Sequence, residues 1–371
     1  PAYKKTLSAE EIQHIVEASR ALKKRQATPD SPEALLTIPT LSRDDLEHKA
    51  EEVEMHIAQE DGITVCHVPD HTNGITYVNA YFDLHGLTQE EISYVYLLSD
   101  LLGDMDTKKH TYGELASLID LYTGGIDYAV SAFSDCEDNT SYMPVFKVTA
   151  KVLSQNLPEL IRLLREITTD TQFTNGDRLI ELVEEAKAGW DMDAFRRGHT
   201  LVMHRVLSYV SPVEGFCDAG EFSYYEFISR IAARIRTETA DTAAKLQHVM
   251  KKVFTRAAMT LEITGNTEDY QHVVRLLPDW TQELPQGEKR TDLCSLGGQR
   301  KNEGIMTSGK VQYVAKGGNF RRHGFAYTGS MMVLDTILQY GYLDEDSCPG
   351  RRLWSLYPFL WEWRYGVLLV S

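Results

Sequence analysis

His48-x-x-Glu51-Glu52 is one histidine short of the spacing in which two imidazoles on one helix face hold zinc while a carboxylate activates the bound water. A glutamate stands where the second imidazole belongs, so these residues are expected on a solvated helix face. His67 and His71 flank a turn, where strand geometry does not bring positions i and i+4 onto one face, and both are expected at the surface. Glu181, Glu184 and Glu185 have no histidine pair beside them and are expected as exposed helical charges. Arg196, Arg197, His199, His204 and Arg205 form a basic patch, read as a plain helix face or as a surface for an acidic partner. Gly317-Gly318, within Lys316-Gly-Gly-Asn319, is too short for a phosphate loop and lacks the following Lys-Ser/Thr; a bulge or close backbone contact suffices.

Whatever positions these groups spans more than one domain, since 371 residues exceed a single unit of roughly 150. An apolar fraction of 43% supplies a core and excludes a disordered chain. A net charge of −16 argues against nucleic acid, which needs a clustered basic surface, and suits a basic peptide better, or else serves solubility alone. The five cysteines are odd in number, scattered and never CxxC, so neither a disulfide framework nor a cysteine zinc site is expected; a reducing, cytoplasmic location is. No run approaches the roughly 20 apolar residues of a membrane span.

The spacing predicts an amphipathic helix from Leu7 to Thr28, opened by a capping box at Ser8-x-x-Glu11 and ended before Pro29, with a second short helix from about Ser42. Residues 1–50 thus read as a helical arm. From Gly62 the pattern alternates: Ile63 and Val65, a turn at Pro69–Gly74, then Thr76, Val78, Ala80, Phe82 and Leu84, which reads as a β-hairpin. Thr88-x-x-Glu91 and Thr111-x-x-Glu114 cap two helices, strands follow at 126–133 and 143–152, a long helical region runs from Leu157 to about Lys251, and 257–265 closes as a strand. Runs of strands followed by runs of helices predict an α+β fold, a largely antiparallel sheet packed against helices. The first domain is placed at 51–275. A second unit, 276–371, starts with a strand at 311–320 and a helix at 329–340.

Leu7-Ser-Ala-Glu-Glu-Ile12, Arg25-Gln-Ala-Thr-Pro-Asp-Ser-Pro32 with Ile38-Pro-Thr-Leu41, and Tyr313-Val-Ala-Lys-Gly-Gly-Asn-Phe320 resemble the helical linker and second half of M16 zinc metallopeptidases of the presequence-protease branch. The resemblance implies four related α+β domains in two halves that close around a chamber, with zinc in the first domain. This chain is similar to the linker, domain three (51–275) and part of domain four (276–371). The family's zinc motif, His-x-x-Glu-His, does not occur here. Its counterpart is implied at Leu97-Leu-Ser-Asp-Leu-Leu102, where Ser99, Asp100 and Leu102 stand in for ligands, and Glu181, Glu184 and Glu185 occupy the region of the distal glutamate ligand. Leucine cannot ligate zinc, so domain three reads as a degenerate, non-catalytic copy: no metal in this chain, zinc in a missing N-terminal half.

After Tyr342 the resemblance stops, and 343–371 is rich in Trp, Arg, Leu and Tyr with no clear strand or helix period. Read in a neighbouring frame from Leu343, one permitted set of codons restores a Gly-Gly-Ala-Tyr segment like the family's, so the tail is expected to be a frameshift. A truncated domain four leaves an unpaired sheet edge and predicts self-association. The functional expectation is the non-catalytic half of a zinc oligopeptidase, inactive alone, which helps enclose peptide substrates. The alternative is a stand-alone non-catalytic subunit or scaffold that binds a catalytic partner.

Overall fold

The computed structural model describes residues 6–47, 49, 52–134, 141–294, 296, 302–306, 312–320, 324–325 and 328–338, and the backbone of three strands between 355 and 370. The chain divides into two compact units, Pro1–Val53 and Glu54–Ser371.

In the first unit, helix α1 (Ala9–Ala27) begins at Ser8: its hydroxyl accepts the Glu11 backbone N–H at 3.2 Å, and the Glu11 carboxylate accepts the Ser8 N–H at 2.7 Å. Two otherwise orphaned donors are thereby satisfied. No residue of α1 is buried, and Ile15 and Val16 are 49% and 42% exposed. A four-residue helix α2 (Pro32–Leu35) follows. The helix expected from Ser42 is only a 3-10 turn at Arg43–Asp45, because Leu46 turns to extended backbone directly after it. His48 and Glu51 lie outside the described residues.

The second unit is built on a six-stranded sheet of β1 (His56–Glu60), β2 (Ile63–Pro69), β3 (Ile75–Asp83), β4 (Ile126–Ser134), β5 (Tyr142–Leu153) and β6 (Met259–Gly265), in the order β1-β2-β6-β3-β5-β4. Only β2 and β6 run parallel. The expected β2–β3 hairpin is overturned, since β6 lies between them. Residues 70–74 give the chain room to step across one strand, a distance of about 10 Å, and the Asp70 N–H bonds the Gly265 carbonyl. The local hairpin is instead β1–β2, closed by Asp61-Gly62 with φ of 45° and 76°. Those left-handed values match the twist of paired strands, and Asp-Gly is a sequence that supplies them.

Alternate residues face the core: Ile63 and Val65, Val78, Ala80 and Phe82, Phe146, Val148, Ala150 and Val152, and Leu261 and Ile263 are all buried. Their neighbours are polar, and across β3 and β6 Asn79 donates to the Glu262 carboxylate at 2.6 Å. One face of the sheet is thus apolar and covered, the other polar. The cover comes from α3 (Gln89–Leu101), α4 (Tyr112–Tyr122), α5 (Leu157–Asp170) and α6 (Gly176–Arg196), then, past α7 (Gly198–Ser208), whose Leu207 centres a separate apolar cluster, from α8 (Pro212–Asp218) and α9 (Phe222–Val253). Thr88 and Thr111 form the predicted capping boxes of α3 and α4. The long helical region is broken into five helices, and α9 is itself kinked at Glu238. Then α10 (Thr267–Leu276) and α11 (Pro278–Thr281) complete the core, where Leu277, Trp280 and Leu284 are buried.

A second, four-stranded sheet joins β7 (Val314–Asn319) to β8 (Ser355–Leu356), β9 (Phe359–Leu360) and β10 (Tyr365–Val370), with α12 (Gly329–Ile337) between them in sequence. β10 pairs antiparallel along the whole of β7. The tail therefore contains strands although its sequence has no clear period: Gly366-Val-Leu-Leu-Val370 is an unbroken apolar run that pairs with β7. Most of the segment read as out of frame lies outside the described residues.

Candidate functional site

Helix α3 packs its Ile92, Val95, Leu97, Leu98 and Leu101 into the core and ends at the three positions implied as the counterpart of a metal site. Each is committed elsewhere. The Ser99 hydroxyl donates to the Tyr96 carbonyl at 2.7 Å. The Asp100 carboxylate accepts the Tyr224 hydroxyl of α9 at 2.7 Å. Leu102 is 3% exposed and lies beyond the helix in extended backbone, followed by Gly103 at φ 87°. A hydroxyl, one carboxylate and a leucine supply no imidazole or thiolate pair, so the donor set does not fit zinc. Among the described residues no group of three or more His, Cys, Asp or Glu is arranged to hold a metal ion.

Beside α3 and α6 opens a cleft of about 510 Å³, lined by Asp100, Asp104, Arg178, Leu182, Glu185 and Trp190 among others. Asp100 and Glu185, distant in sequence and both tied to the implied site, are brought to this one cavity. Packed protein around Asp100 pushes its carboxyl up, partly offset by the Tyr224 hydrogen bond. Burial likewise raises Asp104, against the Arg178 charge and together with the Glu185 charge. Arg178 bonds Glu181 at 2.8 Å and lies over the Tyr112 ring at 4.3 Å. Glu184 is paired with Arg236 at 2.7 Å. Of the three glutamates expected as plain helical charges, two are therefore salt-bridged and Glu185 faces the cleft.

Glu181, Glu184 and Glu185 thus lie exposed or part-exposed on α6, as read, whereas two expectations are corrected. His67 is only 5% exposed: strand alternation points it into the core side, where its Nε2 lies 3.0 Å from the Gly265 carbonyl and its ring stacks on Tyr270 at 4.5 Å. His71 is exposed, as read. The basic patch is neither a plain helix face nor a free cationic surface, because most of it is neutralised internally. Arg197 meets Glu221 at 2.7 Å, His204 meets Glu214 at 2.7 Å, and Arg205 meets Asp218 at 2.8 Å and Glu303 at 2.7 Å. Arg196 and His199 remain exposed.

Sequence reasoning missed the acidic partners of that patch. One signal was present: Ser211-Pro-Val-Glu214 is a helix start, and the Ser211 hydroxyl accepts the Glu214 N–H at 3.3 Å. It places Glu214 in a first turn, yet nothing local says that the side chain is fully buried. Glu166 was missed likewise. It is fully buried and accepts the Thr107 hydroxyl at 2.6 Å, with the His110 ring at 2.7 Å, so it ties the loop before α4 to α5.

Comparison with known proteins gives this architecture a family. The family model for the region associated with peptidase M16, subfamily C, matches residues 1–231. The chain belongs to this peptidase M16 (subfamily C) associated family. It is 32% identical over 342 residues to Protein HypA of Clostridium perfringens, which covers 92% of this chain and 35% of that protein. It is 25% identical over 345 residues to Presequence protease 1, chloroplastic/mitochondrial, of Arabidopsis thaliana, covering 92% and 32%. The chain spans about a third of the length of these curated relatives. Among solved structures, a conserved protein from Enterococcus faecalis superposes with a TM-score of 0.59 at 14% identity, covering 85% of this chain and 75% of that one. A peptidase M16 inactive domain from Pseudomonas fluorescens gives 0.57 at 13% identity, covering 86% and 74%. At such identities the likeness shows the fold, and the fold is the predicted α+β one.

Proposed function

We propose that this chain is the non-catalytic part of a zinc oligopeptidase, which helps to enclose an unstructured peptide while a separate His-x-x-Glu-His half supplies zinc and the general base. Within it, residues 1–50 act as the linking arm, 51–275 as domain three and 276–371 as a partial domain four. The observation that carries the reading is the end of α3, where Ser99 bonds the Tyr96 carbonyl, Leu102 is buried, and Asp100 lines the cleft but accepts the Tyr224 hydroxyl and belongs to no group of three possible metal ligands among the described residues. Membership of the M16-associated family and similarity to presequence proteases support a peptide as the substrate. The net charge of −16 favours a basic one.

The thiols of Cys66, Cys217 and Cys294 are free, in keeping with a reducing compartment such as the cytoplasm. Among the described residues no helix is long and apolar enough to cross a membrane. The reading includes self-association through the second sheet, because β7 pairs on one side only among the described strands.

The test is hydrolysis of a quenched-fluorescence basic peptide by the purified chain with added zinc, together with metal analysis after desalting. The expected outcome is no cleavage and no retained stoichiometric zinc. Cleavage abolished by a chelator would overturn the proposal. Supplying a polypeptide with the His-x-x-Glu-His half is expected to give peptidase activity that neither part has alone.

A further inference from the structure

Helix α7 has two neighbours that matter to one another through charge. On one side lie α8 and the start of α9, which present Glu214, Asp218 and Glu221. On another lies the chain that leads into the second sheet: Ala315 packs beside Leu207, the Tyr313 ring lies 6.1 Å from His199, and Glu303 is bound by Arg205 and by the Tyr209 hydroxyl. Arg205 serves both sides, with Nη1 2.8 Å from Asp218 and Nε 2.7 Å from Glu303.

The cluster is rich in carboxylates. His204 bonds one oxygen of Glu214, which is fully buried; the second oxygen of Glu214, one of Asp218 and one of Glu221 are buried without a hydrogen-bond partner. Arg197 is held by Glu221 and Asp193, which leaves Arg205 and His204 to balance the remainder. A buried carboxylate that loses its cation is strongly destabilising. Cys217, within the same cluster, is pushed well up by burial and by these carboxylates and so stays a neutral thiol.

We propose that His204 and its ring of buried carboxylates form a pH-sensitive latch. While the imidazole is protonated, Arg205 can hold Glu303 and keep residues 302–306 and 312–320 on α7; when the proton leaves, Arg205 is drawn into the uncompensated carboxylates and the segment is released.

The direction follows from linkage. Burial acts to lower the His204 imidazole, but the hydrogen bond and charge of Glu214, with Glu221 and Asp218, outweigh it and raise it. Burial also raises Glu214, against the pull of His204. Both groups therefore hold protons more tightly in the folded chain. The His204 contribution is fully present below the ordinary histidine value of about 6.5 and is lost as pH rises through the raised folded value; the Glu214 contribution has the same sign, but its loss begins at the ordinary glutamate value of about 4.3.

The experiment is hydrogen exchange of the whole chain read peptide by peptide from about pH 6 to 9, corrected for the intrinsic pH dependence of exchange. Protection over 198–208 is expected to fall by about tenfold or more with rising pH, while β3, β6 and the amides of 314–319 that pair with β10 stay protected. His204→Asn keeps an amide donor for Glu214 but cannot titrate, and is expected to leave 198–208 unprotected at every pH. Glu214→Gln removes the buried charge that His204 balances and is expected to keep 198–208 protected at every pH. A wild-type profile that is flat, or one shared unchanged by both variants, overturns the latch. Should a variant not fold, the His204 ring is titrated by NMR in the wild-type chain beside the exchange profile of 198–208: loss of protection that follows the imidazole midpoint supports the latch, and loss that does not follow it overturns it.

Discussion

Trp280 shows how one side chain can close a core assembled from distant parts of the chain. It has no exposed surface, its indole N–H donates to the Thr168 hydroxyl at 2.9 Å, and it meets Phe82 edge-on at 6.4 Å. It thereby joins α11, α5 and β3. Trp280→Ala leaves a large cavity and removes the indole donor from the Thr168 hydroxyl, which keeps its own bond to the Leu164 carbonyl, and is expected to lower stability by about 3–5 kcal/mol in urea unfolding followed by circular dichroism. A shift below about 1 kcal/mol would show that the core collapses around the loss or that Trp280 is not packed as described. At the same scale the sequence was least legible for polar groups. His67 and Glu214 differ from surface residues of the same types only in what the distant chain places around them.

Elements were more legible, and the start of α3 explains why. Thr88 and Glu91 bond each other's backbone N–H groups, at 3.3 Å and 2.9 Å, a contact three residues apart that any reader of the sequence can anticipate. Tertiary structure then adds Lys252 from α9, which also binds the Glu91 carboxylate. Burial acts to raise this carboxyl, but the Lys252 bond, the Thr88 bonds and the Lys252 charge overcome it and hold it at about 2. The sign is that of a depressed acid: the stabilisation is present above the ordinary glutamate value of about 4.3 and is lost as pH falls towards the folded value. Glu91→Gln is expected to cost about 1.5–3 kcal/mol near pH 7 and much less near pH 2. Equal destabilisation at both pH values, measured by thermal or urea unfolding, would rule out the charged contact as the source.

At the scale of the whole molecule, the second sheet is what the proposed self-association rests on. β7 has one partnered edge among the described strands, and α12 exposes Met332, Val333 and Ile337 at 58%, 60% and 57%. An open strand beside apolar surface templates pairing with another chain. A dimer or larger species is expected in size exclusion with light scattering at micromolar concentration, and a sharp monomer peak there would dismiss it. By itself the sequence determined the strand alternation, the capped helix starts, the α+β class and the family resemblance, because each rests on contacts or periods within a few residues. Only the tertiary structure decided that β6 separates β2 from β3, that His67 is buried, and that the cations of α7 are paired. Those outcomes depend on pairings such as Val65 with Leu261, across nearly two hundred residues, for which short-range periodicity carries no signal.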